Sequence, residues 1–311
     1  MKAPTRLLRR LGLEPPDRHA AEREASGAVA GQRVVAVGYH GQPMLRRTHW
    51  EWQIPLYFFA GGLAGASYLI AAVADVLGSD DDREVVAVGR RLALAGLTAS
   101  VPLLIADLKR PERFLNMLRT FKPSSPMSVG AWALFLFGPF VGLGVLPLER
   151  RLGRVLGLLG APIAGFVASY TGVLLATTAV PLWGRARAWL GPLFFCSACS
   201  SALAALGLLV RGVGARRRLH ELETLALAGE LATLAGMLRA AGPLARPLIG
   251  RPFGQPFWAL GVAGGLVAPL WLRGPVRGAL VLGGGLLLRF LLVEAGKRSA
   301  DDPQAAYLYH R

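Results

Sequence analysis

The chain is 311 residues long and 53% apolar, with a mean hydropathy of +0.43 and 35 Lys and Arg against 19 Asp and Glu, a formal charge of +16. Its apolar residues come in runs roughly twenty long, the length a helix needs to cross a hydrocarbon core about 30 Å thick, which excludes a soluble domain and defines an all-α polytopic membrane protein. The basic residues fall between those runs, where lipid phosphates and the positive-inside bias account for them, so membrane lipids and no nucleic acid are the expected contacts.

Residues 1–49 form a basic arm. Arg9 and Arg10 lie near its start with no apolar h-region behind them, so neither a cleaved signal nor a twin-arginine export signal is expected and the arm stays attached. It reads as a lipid-touching tail or as a docking strap for a soluble subunit, built around the turn Tyr39-His40-Gly41-Gln42-Pro43. The first span, about 54–77, is entered past Trp50, Trp52 and Tyr57, an interfacial aromatic belt. Gly61, Gly62, Gly65 and Ala66 give it overlapping small-x-x-x-small pairs, which let another helix approach closely and place this span centrally. An acidic loop, 79–84, leads to a second span at about 85–106, where Arg90 and Arg91 snorkel at the near end.

The next stretch, DLKRPERFLNMLRTFKPSSPMSVGAW at 107–132, sets Asp107, Lys109, Arg110, Glu112, Arg113, Arg119 and Lys122 between Pro111, Pro123 and Pro126. Such a segment cannot cross a bilayer and is a structured polar connection on the membrane surface. Pro126 restricts the residue before it, and the hydroxyls of Ser124 and Ser125 are placed to cap the third helix. Asp107, Leu108, Arg110, Pro111, Arg113, Phe114, Ser125, Pro126, Gly130 and Trp132 together resemble the hallmark of the NrfD/PsrC family, the integral membrane subunits of quinone-linked oxidoreductases.

A third span follows at about 129–148 and a fourth at about 155–180, which carries a second signature of that family, Tyr170-Thr171-Gly172 followed by Pro181 and Trp183. The fifth, about 189–210, contains Cys196 and Cys199. Two thiols cannot make an iron–sulfur cluster, which usually takes four, and within a span they read as small-residue packing. The sixth, about 222–238, has Glu230 near its middle. Prolines 243, 247, 252 and 256 precede a seventh span near 257–272 and an eighth near 276–293, where Arg289 and Glu294 read as an interfacial pair. Eight spans arranged as two four-helix bundles, 50–183 and 184–296, with a tail at 297–311, put both termini on one side. That side holds 22 of the 35 Lys and Arg, the opposite loops 12, and Arg289 lies in the last span. The bias places the termini, and the 107–128 loop with them, in the cytoplasm of a cell-membrane protein.

The resemblance implies a membrane anchor that exchanges electrons and protons between menaquinone or ubiquinone and a ferredoxin-like iron–sulfur subunit. Behind that subunit it implies a molybdopterin-type catalytic subunit, with formate dehydrogenase one candidate. Partner docking falls to Arg110, Pro111, Arg113, Ser125 and Pro126. Tyr170 matches the tyrosine that contacts quinone in the family; by position alone it is equally a buried tyrosine satisfied by a backbone carbonyl. Aligned on Gly62-Leu63-Ala64-Gly65, Ile54 and Tyr57 stand where better-studied members carry an asparagine and a histidine.

A quinone site needs an apolar slot and one or two hydrogen-bonding groups near a surface where electrons leave. Tyr57 and Tyr170 fall at similar depths, roughly 10 and 15 Å from the terminal side at 1.5 Å per residue. His49, Gln53 and Tyr57 are spaced by four and form one ridge with Gly61 and Gly65, which sets their polar groups as quinone-binding candidates at the mouth of the slot. His49 is a candidate proton acceptor there, or a hydrated residue at headgroup depth. Asp107 either pairs with Lys109, Arg110 or Arg113 to hold the loop or relays protons beside the quinone. Glu230 either belongs to a proton pathway or is hydrogen-bonded to a neighbouring helix. The five histidines, at 19, 40, 49, 220 and 310, all fall in tails, edges or loops, so no haem is expected, and no metal site. The rival classes are a transporter, for which intramembrane charges and Pro/Gly breaks speak, and a non-catalytic membrane scaffold.

Overall fold

In a bilayer each backbone polar group must be satisfied within its own helix, and helices approach closely only where side chains are small. The computed structural model describes Leu45, residues 48–108, Phe114 and residues 116–309. Among these, seven helices are long and apolar enough to cross a membrane. They are α1 (Gln53–Leu77), α2 (Arg83–Ala106), α3 (Pro126–Gly144), α4 (Arg150–Ala176), α5 (Arg187–Leu209), α6 (Val213–Ala241) and α7 (Pro275–Asp301).

The remaining expected span, near 257–272, differs from the sequence reading. Between α6 and α7 the chain makes a helical turn at Gly254–Pro256, a π-helix at Phe257–Val267 and a 3-10 turn at Ala268–Leu270. These residues, 254–270, reach only about 26 Å at an α-helix's rise, short of a full crossing by length. They nevertheless run from one end of the bundle to the other. Leu272 and Arg273 come beside Val213 and His220 at the start of α6, and Gly265 lies so close on Gly284 of α7 that neither accommodates a side chain.

α1 is the central helix, packed on α2, α4, α5 and α7. Its small residues explain this. A Cβ on Gly65 would lie 2.6 Å from the Ala164 carbonyl oxygen and 2.8 Å from the Ala168 nitrogen of α4, so the two backbones touch. Residues from Leu45 onward form one compact unit.

α6 starts well before the span read from hydropathy, because Arg216, Arg217, Arg218, Glu221 and Glu223 depress the apolar average while being good helix formers. Arg217 and Glu221, four residues apart, pair at 3.1 Å. His220 therefore lies inside a helix, which corrects the expectation that every histidine sits outside the spans.

Trp183, on the short helix Pro181–Arg185, ties the ends together. Its ring stacks on Trp50 at 5.6 Å and its indole N–H donates to the Leu292 carbonyl at 3.0 Å. Gly184 abuts Tyr309 of the helix Pro303–Tyr309. The described chain thus begins and ends at the same end of the bundle. The basic arm, 1–44 with 46 and 47, and the turn at 39–43 lie outside the described residues.

Gly65→Ala should lower stability in detergent by about 1–3 kcal/mol, because the added methyl meets backbone that cannot swing aside. Gly138→Ala on α3, with nothing within 4 Å of its added methyl, is the control and should be neutral. Equal thermal unfolding of the two variants would contradict the close crossing.

Candidate functional site

The local sequence builds the site from the start of α3. Ser125 caps that helix, its Oγ accepting from the Ser128 N–H at 3.4 Å, and Pro126 takes the first helical position, where its missing N–H costs nothing. Ser128 also ties back to the loop, accepting from the Lys122 N–H at 3.0 Å. This fixes the Pro126 carbonyl, to which Tyr170 of α4 donates its hydroxyl at 2.6 Å. The Tyr170 ring lies on Gly130, where a Cβ would come within 2.0 Å of it. The glycine of the hallmark is therefore the floor on which this tyrosine rests.

Tyr57, one turn into α1, meets Tyr170 across a cavity of about 50 Å³. Ile54, Phe58, Leu104, Leu108, Ala131 and Leu174 make most of the wall apolar, and Trp50, Asp107 and Met127 complete it. The Tyr57 hydroxyl has no partner among the described residues. α4 ends at Ala176 rather than near 180, which sets Tyr170 about 9 Å from the end of its helix. A ring the size of benzene occupies a cavity of about 150 Å³, so a larger headgroup enters only if a wall residue moves. Met127, unbranched and 50% exposed, is the residue free to do so.

Asp107 closes α2 at the cavity's edge and accepts from the Glu51 backbone N–H at 3.3 Å. Burial pushes its carboxyl above the usual carboxylate range, and the charge of Glu51 adds to this; the hydrogen bond from Glu51 and the ammonium of Lys297 draw it partly back. Lys109, Arg110, Pro111, Glu112 and Arg113 lie outside the described residues, and the expected pairing of Asp107 and the docking role of Arg110, Pro111 and Arg113 with them.

The ridge expected from His49 is shorter than the spacing suggests. Residues 48–50 are not helical and α1 begins at Gln53, so the row runs from Gln53 through Tyr57 to Gly61, and His49 is exposed before it. The side-chain oxygen of Gln53 is buried without a partner among the described residues. Neither His49 nor Gln53 lines the cavity.

Glu230 sits elsewhere. It is 1% exposed on α6 and accepts from Ser200 Oγ of α5 at 2.6 Å, the hydrogen bond to a neighbouring helix that the sequence allowed. Nearby Arg289 of α7 is not at the interface with Glu294, as expected, but is 1% exposed and faces inward. It donates to Ser197 Oγ at 3.0 Å and the Gly285 carbonyl at 2.7 Å, with its guanidinium 5.4 Å from the Phe59 and Phe194 ring centres. Glu294 pairs with Lys297 instead. Phe58, which lines the tyrosine cavity, packs edge-on against Phe194 at 6.1 Å, so an aromatic wall separates this cluster from the cavity.

A second buried pair, Glu223 with Arg277 at 3.0 Å, joined by His220 at 3.1 Å, escaped the sequence reading. The signal was there: Glu223 precedes Glu230 by seven residues, two turns, and so shares its face. Cys196 and Cys199 are free thiols, and Cys196 packs on Gly229 of α6. No group of three or more His, Cys, Asp or Glu among the described residues is placed to hold a metal.

The class these features define is an all-helical, multi-pass membrane protein with a tyrosine-lined apolar cavity at one end of its first four helices. The profile of the family described as polysulphide reductase, NrfD, matches residues 42–299. The chain is also similar to the C subunit of the polysulfide reductase of Wolinella succinogenes, 27% identical over 301 residues that cover 80% of this chain and 94% of that protein. This protein belongs to the NrfD family.

Since Gly130 and Tyr170 are in contact, their substitutions should not add. In a double-mutant cycle, Gly130→Ala should be destabilising with Tyr170 present and relieved in Tyr170→Ala, a coupling of about 0.5–3 kcal/mol. Strict additivity in detergent unfolding would mean that the ring does not rest on Gly130.

Proposed function

We propose that this chain is the quinone-reactive membrane subunit of an oxidoreductase complex, exchanging two electrons and two protons between a menaquinone or ubiquinone substrate and an iron–sulfur partner. The observation that carries the proposal is the convergence of Tyr57 and Tyr170 on an apolar cavity beside Asp107. A quinone oxygen accepts hydrogen bonds. Tyr57 has a donor to offer it, and Tyr170 supplies a second by turning its hydroxyl from the Pro126 carbonyl. The apolar wall suits the ring, which takes its seat once Met127 swings out.

When quinol is the donor, its two electrons pass to the partner's cluster and its two hydroxyl protons must leave through groups at the cavity. Asp107 is the acceptor at that edge, and exposed His49 exchanges protons with water nearby. Gln53, one turn before Tyr57 with its buried side-chain oxygen unpartnered among the described residues, is a further polar group for the quinone site. Glu230, behind Phe58 and Phe194, we assign to holding α6 to α5 rather than to the cavity's protons. Cys196 and Cys199 alone cannot ligate a cluster, and the chain is read as free of haem, so the partner's cluster must rest close above the tyrosines. The polar 107–128 connection, with Arg110, Pro111, Arg113, Ser125 and Pro126, is the surface proposed for that ferredoxin-like subunit. A molybdopterin-type catalytic subunit, formate dehydrogenase among the candidates, lies beyond it. The basic bias of the terminal side supports a cell-membrane protein with that face in the cytoplasm.

The scaffold reading draws on one observation, that the Tyr170 hydroxyl is already satisfied by Pro126. Quinol-driven reduction of the co-purified iron–sulfur partner separates the two. Tyr57→Phe and Tyr170→Phe should each slow it about tenfold, the worth of one hydrogen bond, with the complex still assembled. Unchanged rates in both variants would leave a scaffold. Because Asp107 holds its proton to higher pH than an ordinary carboxyl, it accepts one only above that point. The rate should therefore rise with pH along an acid limb displaced upward. Asp107→Asn should abolish that limb, and a limb that persists would remove Asp107 from the proton path.

A further inference from the structure

At the end of the bundle away from the tyrosines, the close of α1, the start of α2 and the connection from α3 to α4 enclose a cavity of about 400 Å³. Four arginines reach it: Arg83, Arg90 and Arg91 from α2, and Arg150 from α4. Arg90 is committed to the fold, donating to Asp75 Oδ2 at 2.8 Å and to the Gly153 carbonyl at 2.9 Å. Arg83 and Arg150 share a single oxygen of Asp80, at 2.8 and 3.0 Å, and their side chains are 66% and 58% exposed. A guanidinium carries five N–H donors, so most of theirs remain open. Arg91 is exposed and has no partner among the described residues. Four cations thus face two carboxylates, with a surplus of donors around the space.

The wall beside them is apolar. Val86, Val145, Leu146 and Leu148 line the cavity, and Leu146 is about half exposed. Cationic donors beside an exposed aliphatic lining match a molecule that is anionic at one end and a hydrocarbon chain at the other. We propose that this cavity binds the phosphodiester headgroup of an anionic glycerophospholipid, with Arg83, Arg91 and Arg150 on the phosphate and an acyl chain leaving past Leu146 and Leu148. A free phosphate would use the same arginines and ignore the leucines.

The test uses the full chain in detergent, titrated with phosphatidylglycerol, with phosphatidylcholine of the same acyl chains, and with inorganic phosphate, bound lipid being counted by native mass spectrometry. Phosphatidylglycerol should be retained in preference to phosphatidylcholine. Arg91→Gln removes no contact within the protein and should cut that preference about fivefold, and Arg83→Gln with Arg91→Gln on the order of twentyfold. Arg216→Gln with Arg217→Gln, at the same end but outside the cavity, should leave it unchanged. Equal retention of the two lipids would overturn the proposal, as would an unaltered preference in Arg91→Gln and in the double variant, or an equal loss in the Arg216 and Arg217 control. Displacement of the lipid by millimolar inorganic phosphate would make this a free-anion site and overturn it also.

Discussion

The contact between the Tyr170 ring and Gly130 sets the geometry of the tyrosine end of the bundle. A methyl group at position 130 would occupy the space of the phenol, so α3 and α4 can meet there only across a glycine. With the ring seated, the hydroxyl reaches the Pro126 carbonyl, and Tyr170 lines the cavity that Tyr57 also lines. Ser125 and Pro126 matter to this because they decide where α3 starts and hence where that carbonyl points. A loop motif and a helix motif, far apart in sequence, are two halves of one packing arrangement.

The same economy of space runs through the rest of the membrane region. α1 is central because its backbone touches α4 at Gly65, and the π-wound segment reaches α7 through Gly265 and Gly284. Lipid supplies no hydrophobic force between helices, so such contacts and a few buried polar groups must supply specificity. Ser197, Ser200, Glu230 and Arg289 join α5, α6 and α7 in this way, as Glu223 and Arg277 join α6 and α7 nearer the far end. Trp183 gathers the two halves at the tyrosine end through Trp50 and Leu292.

Much of this was legible from residues alone, because a bilayer imposes length and polarity more strictly than water does. The six spans other than the sixth and seventh began within a few residues of the helices, and Tyr57 and Tyr170 were matched in depth from helix rise. The misses have physical causes. Charge lowers hydropathy without breaking a helix, so α6 and its His220 extended beyond the apolar window. Spacing by four implies a ridge only where the chain is helical, which at His49 it is not. Arg289 was placed at the surface because its sequence neighbour Glu294 offered a partner; its actual neighbours, Ser197 and two phenylalanine rings, come from other helices and leave no local trace. The Pro126 carbonyl as partner of Tyr170 is likewise a backbone atom that no side-chain pattern announces.

What distinguishes this account from any other reading of a multi-pass helical chain is where a quinone ring sits. A photoreactive azido-quinone, activated on the assembled complex and mapped by peptide sequencing, reads that position directly. Labels on Tyr57, Met127 or Tyr170 and their immediate neighbours, displaced by excess unlabelled quinone, are the predicted result. Competable labels confined to α5, α6 or α7 would place the ring behind the aromatic wall and contradict the account.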